Sequence, residues 1–165
     1  MENIALGRRG PAAEQAEKVG PYRLEHRLGA GGMGAVWRAR DERLKRAVAL
    51  KRILPTANED PRLRERFRRE AEAVARLNHP AIIHIYDIVE TEDSDWIVME
   101  LVEGWTLHEL LRHEGPLDPQ RVLRLGRDVA EGLAEAHSQG FIHRDLKAPN
   151  VMTTPSGRAK ILDFG

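Results

Sequence analysis

The chain of 165 residues contains no cysteine, which excludes a disulfide scaffold and any metal site built on thiolates. It has no excess of either charge, because 26 Lys and Arg residues balance 26 Asp and Glu residues. A balanced chain has no overall basic field that attracts nucleic acid, so no nucleic-acid partner is expected. No apolar run approaches the roughly 20 residues that cross a bilayer, so no membrane segment is expected either. What remains is a small globular protein that suits a reducing cytoplasm.

The first half of the chain predicts a sheet with one helix. Residues 1–20 lack the apolar core of a signal peptide, so we expect a flexible leader. The helix is predicted for residues 61–77, where apolar residues recur with a helical period among arginines. Apolar stretches separated by polar or glycine turns predict five strands, at residues 22–28, 35–40, 47–54, 81–90 and 96–102.

The second half of the chain is predicted to be mostly helical. Thr106 and Glu109 stand at the spacing of a capping box, which marks the start of one helix. Asp118 as N-cap and Pro119 in the first turn predict the start of a second helix, which ends at Gly140. A short hairpin is predicted around "TPSG", near the end of the chain. A strand-rich half followed by a helical half indicates an α+β fold in two lobes.

The stretch "GAGGMG" at residues 29–34 fits the pattern G-x-G-x-x-G between two predicted strands. Glycines allow a backbone to approach phosphate oxygens closely, with its N–H groups pointing at them. The dinucleotide-binding form of this pattern leads into a helix, which is not predicted here, so a dinucleotide-dependent oxidoreductase is disfavoured. Taken alone, the pattern fits a flexible hairpin equally well.

Lys51 lies in the third predicted strand, on the same face as Ala49, which is small enough to let a flat ring lie against it. An exposed lysine is the ordinary alternative. Glu70 lies on the apolar face of the predicted helix, where an unpaired carboxylate would be costly to desolvate. Its partner is either Lys51, from the strand, or Arg66, four residues earlier in the helix, and the sequence leaves this choice open.

The densest group of polar residues is "HRDLKAPN" at residues 143–150, between apolar neighbours. A carboxylate, an ammonium and an amide on a braced loop suit a polyphosphate with a divalent metal. Asn150 and Asp163 offer the hard oxygen atoms that Mg²⁺ takes alongside phosphates and waters. Lys147 can neutralise a transferring phosphoryl group, and Asp145 can accept a hydroxyl proton or orient that hydroxyl. A surface salt-bridge loop is the alternative, but five fixed positions in eight rarely coincide by chance.

These motifs together resemble the signature of the eukaryotic-type protein kinases, and the order "GAGGMGAV", "VALK", "HRDLKAPN" and "DFG" is theirs. The resemblance covers about residues 22–165 and is strongest to bacterial Ser/Thr kinases, because Lys147 is usually absent from tyrosine kinases. It implies an N-lobe at 21–103, with five antiparallel strands, one helix and the hinge strand. A partial, mainly helical C-lobe is implied for 104–165.

The resemblance implies a role for each matching polar residue. Lys51, paired with Glu70, would hold the α- and β-phosphates of ATP, and Lys147 would contact the γ-phosphate. Asp145 would be the catalytic base, or would position the hydroxyl of a Ser or Thr in a protein substrate. The implied ligands of Mg²⁺, which Mn²⁺ can replace, are Asn150 and Asp163.

The resemblance also implies an ATP pocket between the lobes. The glycine loop would cover the phosphates, Met99 would be the gatekeeper, and the backbones of Glu100 and Val102 would bond adenine. A hydrophobic spine is implied at Val74, Ile85, His143 and Phe164. The implied ATP-binding residues are Leu28, Gly29, Ala30, Gly31, Gly32, Met33, Gly34, Val36, Ala49, Lys51, Met99, Glu100, Val102, Met152 and Leu162.

Two departures from the family pattern modify these expectations. "KAPN" replaces the commoner "KPEN" type, which moves the proline to Pro149 beside Asn150. The sequence ends at Gly165, before any activation segment, so the isolated chain is expected to transfer phosphate weakly or not at all. A non-catalytic nucleotide-binding or interaction module derived from a kinase is therefore the alternative function. A cytoplasmic location is expected, and the family allows a membrane anchor beyond residue 165 in the whole protein.

Overall fold

The computed structural model describes residues 17–31, 34–53, 61–92 and 94–163. Within these ranges, the side chains of residues 30, 31, 61–64, 66, 67 and 70 are not described. The predictions for the leader up to residue 16, for Gly32 and Met33, and for Phe164 lie outside the described residues.

The first half of the chain folds as one six-stranded sheet in which all neighbouring strands are antiparallel. Its strands are β1 (Lys18–Val19), β2 (Tyr22–Gly31), β3 (Gly34–Asp41), β4 (Arg46–Arg52), β5 (Ile85–Glu90) and β6 (Asp95–Met99). They lie in the order β1-β2-β3-β4-β6-β5. All five predicted strands are present, and β1 adds a sixth at one edge, inside the range expected to be a leader.

The fourth predicted strand is shorter than expected, because it was predicted from residue 81 and begins at Ile85. The preceding residues bond instead to β9 (Ala159–Ile161), near the end of the chain. The N–H of Ile161 donates to the carbonyl of Ala81 at 2.7 Å, and the N–H of Ile83 donates to the carbonyl of Ile161 at 3.0 Å. Residues 81–84 therefore link the two halves of the molecule.

One face of the large sheet carries the main apolar core. Alternation along β4 turns Val48 and Leu50, which are completely buried, towards this core, and turns Ala49, which is also buried, to the opposite face. In β2 the alternation predicted for residues 22–28 stops early, because a register irregularity follows Leu24 and leaves Leu28 48% exposed. The buried members of this core are Val19, Tyr22, Leu24, Ala39, Val48, Leu50, Trp96 and Val98.

The helix α1 (Pro61–Val74) ends three residues before the predicted position. Its last turn tightens, because the N–H of Leu77 donates to the carbonyl of Val74 at 2.9 Å. Val74 and Leu77 are both buried in one cluster with Ile82 and Ala136. Since Ala136 belongs to the helical half, this cluster holds the end of α1 against the second half of the chain.

The two helices of the second half begin where the sequence predicts. The capping box starts α2 (Leu107–Glu114): the N–H of Glu109 donates to the Thr106 hydroxyl, and the Glu109 carboxylate accepts from the Thr106 N–H. Asp118 caps α3 (Pro119–Ser138) by accepting from the backbone of Arg121 at 3.1 Å. None of the described helices combines the length and the apolar character that crossing a membrane requires.

A second sheet of three short strands packs against α3. It consists of β7 (Trp105–Thr106), β8 (Val151–Thr153) and β9, in that order. Gly132 in α3 allows the close approach, because a Cβ there would lie 3.1 Å from the Ile161 side chain. Gly104 stands before β7 with φ +134°, and a Cβ there would overlap the carbonyl of Thr153. The fold is therefore the expected α+β arrangement of a sheet lobe and a mainly helical lobe.

Candidate nucleotide site

Lys51 lies on the face of β4 that is turned towards the second half of the chain. Its side chain is 14% exposed, and its Nζ is 2.9 Å from Oδ1 of Asp163. The sheet lobe thus supplies the cation and the segment after β9 supplies the carboxylate. The predicted pairing of Glu70 with Lys51 or with Arg66 lies outside the described residues, because the side chains of Glu70 and Arg66 are not described.

An apolar cluster lies beside Lys51 where the sheet meets the connection to the second half. Its buried members are Ala49, Ile83 and Met99, and its half-buried members are Val36, Leu101, Val102 and Leu162. Five of these residues are among the predicted ATP-binding residues, namely Val36, Ala49, Met99, Val102 and Leu162. Ile83 and Leu101 were not predicted, since their apolar side chains gave no signal beyond that of a strand.

Two of the predicted ATP-binding residues stand apart from this cluster. Leu28 is 48% exposed, just before the glycine motif. Met152 is half-buried in β8, where its backbone pairs with Thr106 and Lys160. Both contacts remain predictions.

The glycine motif joins β2 and β3, as predicted, and no helix follows it. Gly29 pairs with Val36, and Gly31 pairs with Gly34, so the strands stay in register up to the turn. Gly34 has φ +127°, a backbone conformation that other residues rarely adopt. The described residues of the motif therefore lie in two paired antiparallel strands, which does not match the strand-turn-helix arrangement of a dinucleotide fold.

Asp145 forms a compact polar cluster with Lys147 and Asn150. Its Oδ2 is 2.8 Å from Nζ of Lys147 and accepts from Nδ2 of Asn150 at 3.1 Å. The same Nδ2 donates to the backbone carbonyl of Asp145 at 2.8 Å. The hydrogen bond from Lys147 is the main reason that the pKa of Asp145 lies below its ordinary value. Asp145 is therefore a carboxylate at neutral pH.

His143 supports the loop that carries Asp145. It is buried, and its Nε2 lies 2.8 Å from the carbonyl of Leu162, while its Nδ1 lies 3.3 Å from the backbone N of Asp145. Because the Asp145 N–H donates to Nδ1, the ring proton belongs on Nε2, which then donates to Leu162. The next residue, Arg144, has φ +61°, a strained conformation of the kind that accumulates at functional sites. The ring thus holds the Asp145 loop against the segment that carries Asp163.

Asn150 and Asp163, the predicted metal ligands, are brought together by their backbones. The N–H of Leu162 donates to the carbonyl of Asn150 at 2.8 Å, and Asp163 follows with φ +37°. Because Nδ2 of Asn150 is engaged by Asp145, its amide oxygen is the atom left for a metal. Among the described residues no group of three or more His, Cys, Asp and Glu could hold a metal. Two hard oxygen donors fit Mg²⁺, which keeps waters and phosphate oxygens as its other ligands.

The connection after β6 has a polar anchor that sequence reasoning missed. The N–H of Glu100, the first residue after β6, donates to the carbonyl of His84 at 2.8 Å. The Glu100 carboxylate pairs with Lys160 of β9, at 2.5 Å. Glu100 was predicted only for its backbone, and Lys160 was not predicted at all, because 60 residues separate the two.

Residues 22–165 match the protein kinase domain family. A probable serine/threonine-protein kinase of Streptomyces coelicolor is 43% identical over 150 residues, which cover 88% of this chain and 22% of that protein. Serine/threonine-protein kinase PknB of Mycobacterium tuberculosis is 43% identical over 148 residues, which cover 87% of this chain and 24% of that protein. The chain thus spans about a quarter of the length of these curated relatives.

A solved structure gives the same result for the fold. The PknI kinase domain of Mycobacterium tuberculosis matches with a TM-score of 0.81 at 33% identity. The match covers 93% of this chain and 63% of the solved one.

Proposed function

Because the chain belongs to the protein kinase family, we propose that the protein transfers the γ-phosphoryl group of ATP to serine or threonine hydroxyls of other proteins. One observation carries this proposal. Lys51 of the sheet lobe and Asp163 of the helical lobe meet at 2.9 Å, beside a loop that holds Asp145, Lys147 and Asn150. In this proposal Lys51 binds phosphate, Asp163 binds the metal and Asp145 binds the substrate hydroxyl, at one site between the lobes.

In this proposal ATP enters between the lobes and divides the ion pair of Lys51 and Asp163. Lys51 then turns its charge to the α- and β-phosphates, and Asp163 turns to the metal. The adenine ring lies against the apolar cluster that contains Ala49, Met99 and Leu162. The glycine turn covers the phosphates with its backbone N–H groups. The ion pair keeps the two side chains close together until the nucleotide arrives.

The proposed transfer exchanges one phosphorus–oxygen bond for another. The substrate hydroxyl oxygen bonds to the γ-phosphorus, the bond from that phosphorus to the β,γ-bridging oxygen breaks, and ADP leaves with the bonding electrons. The hydroxyl proton passes to Asp145. Because Lys147 lowers the pKa of Asp145, this carboxylate is a weak base. It mainly orients the hydroxyl, while Lys147 faces the γ-phosphate.

Asn150 and Asp163 fit Mg²⁺, or Mn²⁺ in its place, through the amide oxygen and the carboxylate described above. When bound, the metal neutralises charge on the phosphate oxygens during transfer. Because ATP is a cytoplasmic metabolite, the domain is proposed to work in the cytoplasm. No observation favours the alternative of a non-catalytic binding module, since the curated relatives are themselves named as kinases.

Two measurements test the proposal. One is the binding of Mg·ATP by this chain, and the other is the transfer of labelled phosphate by the full-length gene product. Asp145→Asn is expected to lower transfer by about 10² or more while ATP still binds, because the carboxylate that orients the hydroxyl is lost and the residues proposed to bind ATP are unchanged. Lys51→Met is expected to weaken both binding and transfer. Lys45→Met, an exposed lysine in the turn between β3 and β4, is the control and should change neither. Transfer that persists in Asp145→Asn, or a wild-type chain that does not bind Mg·ATP, would contradict the proposal.

A further inference from the structure

Lys160 is a nearly buried cation that none of the proposed catalytic steps uses. It lies in the middle of β9, and its side chain is only 12% exposed. Its Nζ contacts two acceptors: Oε2 of Glu100 at 2.5 Å and the carbonyl of Ile82 at 3.4 Å. A lysine so little exposed to water needs such partners, because burial of an unpaired ammonium is costly.

Glu100 is fixed from a second direction. Its backbone N–H donates to the carbonyl of His84 at 2.8 Å, and its Oε2 accepts from the His84 N–H at 3.4 Å. Its side chain is 24% exposed, so the ion pair with Lys160 is largely shielded from water. We call His84, Glu100 and Lys160 the hinge clamp, because the contacts of Glu100 with His84 and Lys160 fix the start of the connection that follows β6.

The hinge clamp joins the two ends of the proposed nucleotide site. Lys160 is three residues before Asp163 in the sequence. The neighbouring Ile161 donates its backbone N–H to the carbonyl of Ala81, and its own carbonyl accepts from the N–H of Ile83. The same short segment, residues 81–84, bonds to Glu100 through His84. The strand that leads to the metal-binding carboxylate and the backbone that would bond adenine are therefore parts of one bonded unit.

We propose that Lys160 is a positioning residue for the nucleotide: its ion pair with Glu100 fixes the backbone of residues 100–102 relative to Asp163. This inference rests on the proposed function, because it requires that ATP reach from residues 100–102 to Asp163. A ligand held at both ends is sensitive to their separation, whereas a ligand held only at the adenine end is not. Loss of the pair should therefore weaken Mg·ATP more than adenosine.

The experiment compares four variants of the whole chain. Lys160→Met and Glu100→Gln each remove one charge of the pair, and Lys160→Arg retains a cation. Lys18→Met is the control for loss of a lysine charge, because Lys18 forms an exposed ion pair with Glu42 at the far edge of the large sheet, away from residues 100–102. Two quantities are measured: hydrogen exchange at the amides of residues 100–102 without nucleotide, and the dissociation constants of Mg·ATP and adenosine.

Lys160→Met and Glu100→Gln are expected to speed exchange at residues 100–102 and to weaken Mg·ATP about five- to tenfold, with a smaller loss for adenosine. Lys160→Arg should retain most of the Mg·ATP affinity, and Lys18→Met should leave both quantities as in the wild type. Equal losses for Mg·ATP and adenosine, or wild-type values in Lys160→Met, would overturn the inference.

The outcomes separate this inference from the proposed function. A wild-type chain that does not bind Mg·ATP refutes the proposed function, and with it the role of Lys160 towards a nucleotide. The exchange rates still decide whether the hinge clamp orders residues 100–102. If Lys160→Met does not fold, Glu100→Gln decides, because it removes the same ion pair without changing the shape of the side chain.

Discussion

The six-stranded sheet and the three-stranded sheet are stabilised by different kinds of interaction. The large sheet has strands of up to ten residues, and eight buried apolar side chains form its core. The small sheet has strands of two or three residues, and its buried apolar side chains are Val151, Ala159 and Ile161, with Leu125 of α3 packed against the first two. Polar bonds fix its position, above all those of the buried Asp128, which accepts from the Arg158 side chain at 2.8 Å and from the Ala159 N–H at 2.9 Å.

The two kinds of interaction position different residues of the candidate site. The strand register of the long, apolar sheet fixes the position of Lys51. Asp145 and Asp163 lie on loops beside the small sheet, and Asn150 ends a short 3₁₀ turn before β8; hydrogen bonds of side chains and of the backbone hold these segments together. Apolar packing tolerates small shifts, whereas a hydrogen bond requires a specific distance and direction. The half that carries most of the proposed chemistry is therefore the half built on directional contacts.

The largest expected effect tests the apolar side of this comparison. Leu50→Ala removes a completely buried side chain from the large sheet and should lower the free energy of unfolding by about 3 kcal/mol. Urea unfolding followed by circular dichroism measures the loss. Leu44→Ala is the matched control, since Leu44 is 64% exposed and its loss should be no more than about 0.5 kcal/mol. Similar losses in the two variants would contradict the assignment of the core.

The next effect tests the polar side. Asp128→Ala leaves the buried N–H of Ala159 without an acceptor and should destabilise the chain by about 2 kcal/mol. Hydrogen exchange should show the loss first at β8 and β9 rather than in the large sheet. Glu131→Ala, which removes a carboxylate that pairs with Arg127 on the exposed surface of the same helix, is the control and should have little effect. If hydrogen exchange in Asp128→Ala became faster by the same factor in the large and the small sheet, the two sheets would not be stabilised by different interactions.

A smaller effect tests the contact between α3 and the small sheet. Gly132→Ala places a Cβ 3.1 Å from the Ile161 side chain and 3.3 Å from the Ala81 side chain, so a net loss of about 1 kcal/mol is expected. Gly126→Ala, in the same helix, meets nothing within 4 Å and should gain about 0.5–1 kcal/mol from helix propensity. Thermal unfolding should move the two variants in opposite directions. A gain in both would mean that the helix does not lie as close to β9 as described.

The smallest effect concerns one proton. Lys147→Met removes the main cause of the lowered pKa of Asp145, so this pKa should rise towards its ordinary value. A lowered pKa favours the folded state above the ordinary pKa, and this contribution disappears as the pH falls through the folded value. The variant should therefore lose its Asp145 carboxylate at a higher pH than the wild type. Carbon-13 NMR of the carboxyl groups measures the change.

Two references make the titration decisive. Lys147→Arg keeps the cation and should keep the pKa of Asp145 low. Glu42, whose pKa is lowered mainly by a hydrogen bond from Lys18 in the other lobe, should titrate identically in all variants. An unchanged pKa of Asp145 in Lys147→Met would show that Lys147 is not its effective partner.

Local features of the sequence predicted local features of the structure well. The start of α2 follows from Thr106 and Glu109, and the start of α3 follows from Asp118 and Pro119, because a cap needs only residues within one turn. The strand on each side of the glycine motif was predicted in the same way. Boundaries set by distant partners were less accurate, as at Ile85, where the preceding residues bond to β9.

The sequence by itself determined the family, the order of the elements and the residue types of the candidate site, because motifs and caps are encoded within short stretches. Only the tertiary structure decided which side chains meet. Lys51 contacts Asp163, and Glu100 contacts Lys160, across 112 and 60 residues of chain respectively. The charges alone do not select these pairs, since any cation attracts any carboxylate. The packing of α1, residues 81–84 and β9 selects them, because it brings distant parts of the backbone close together.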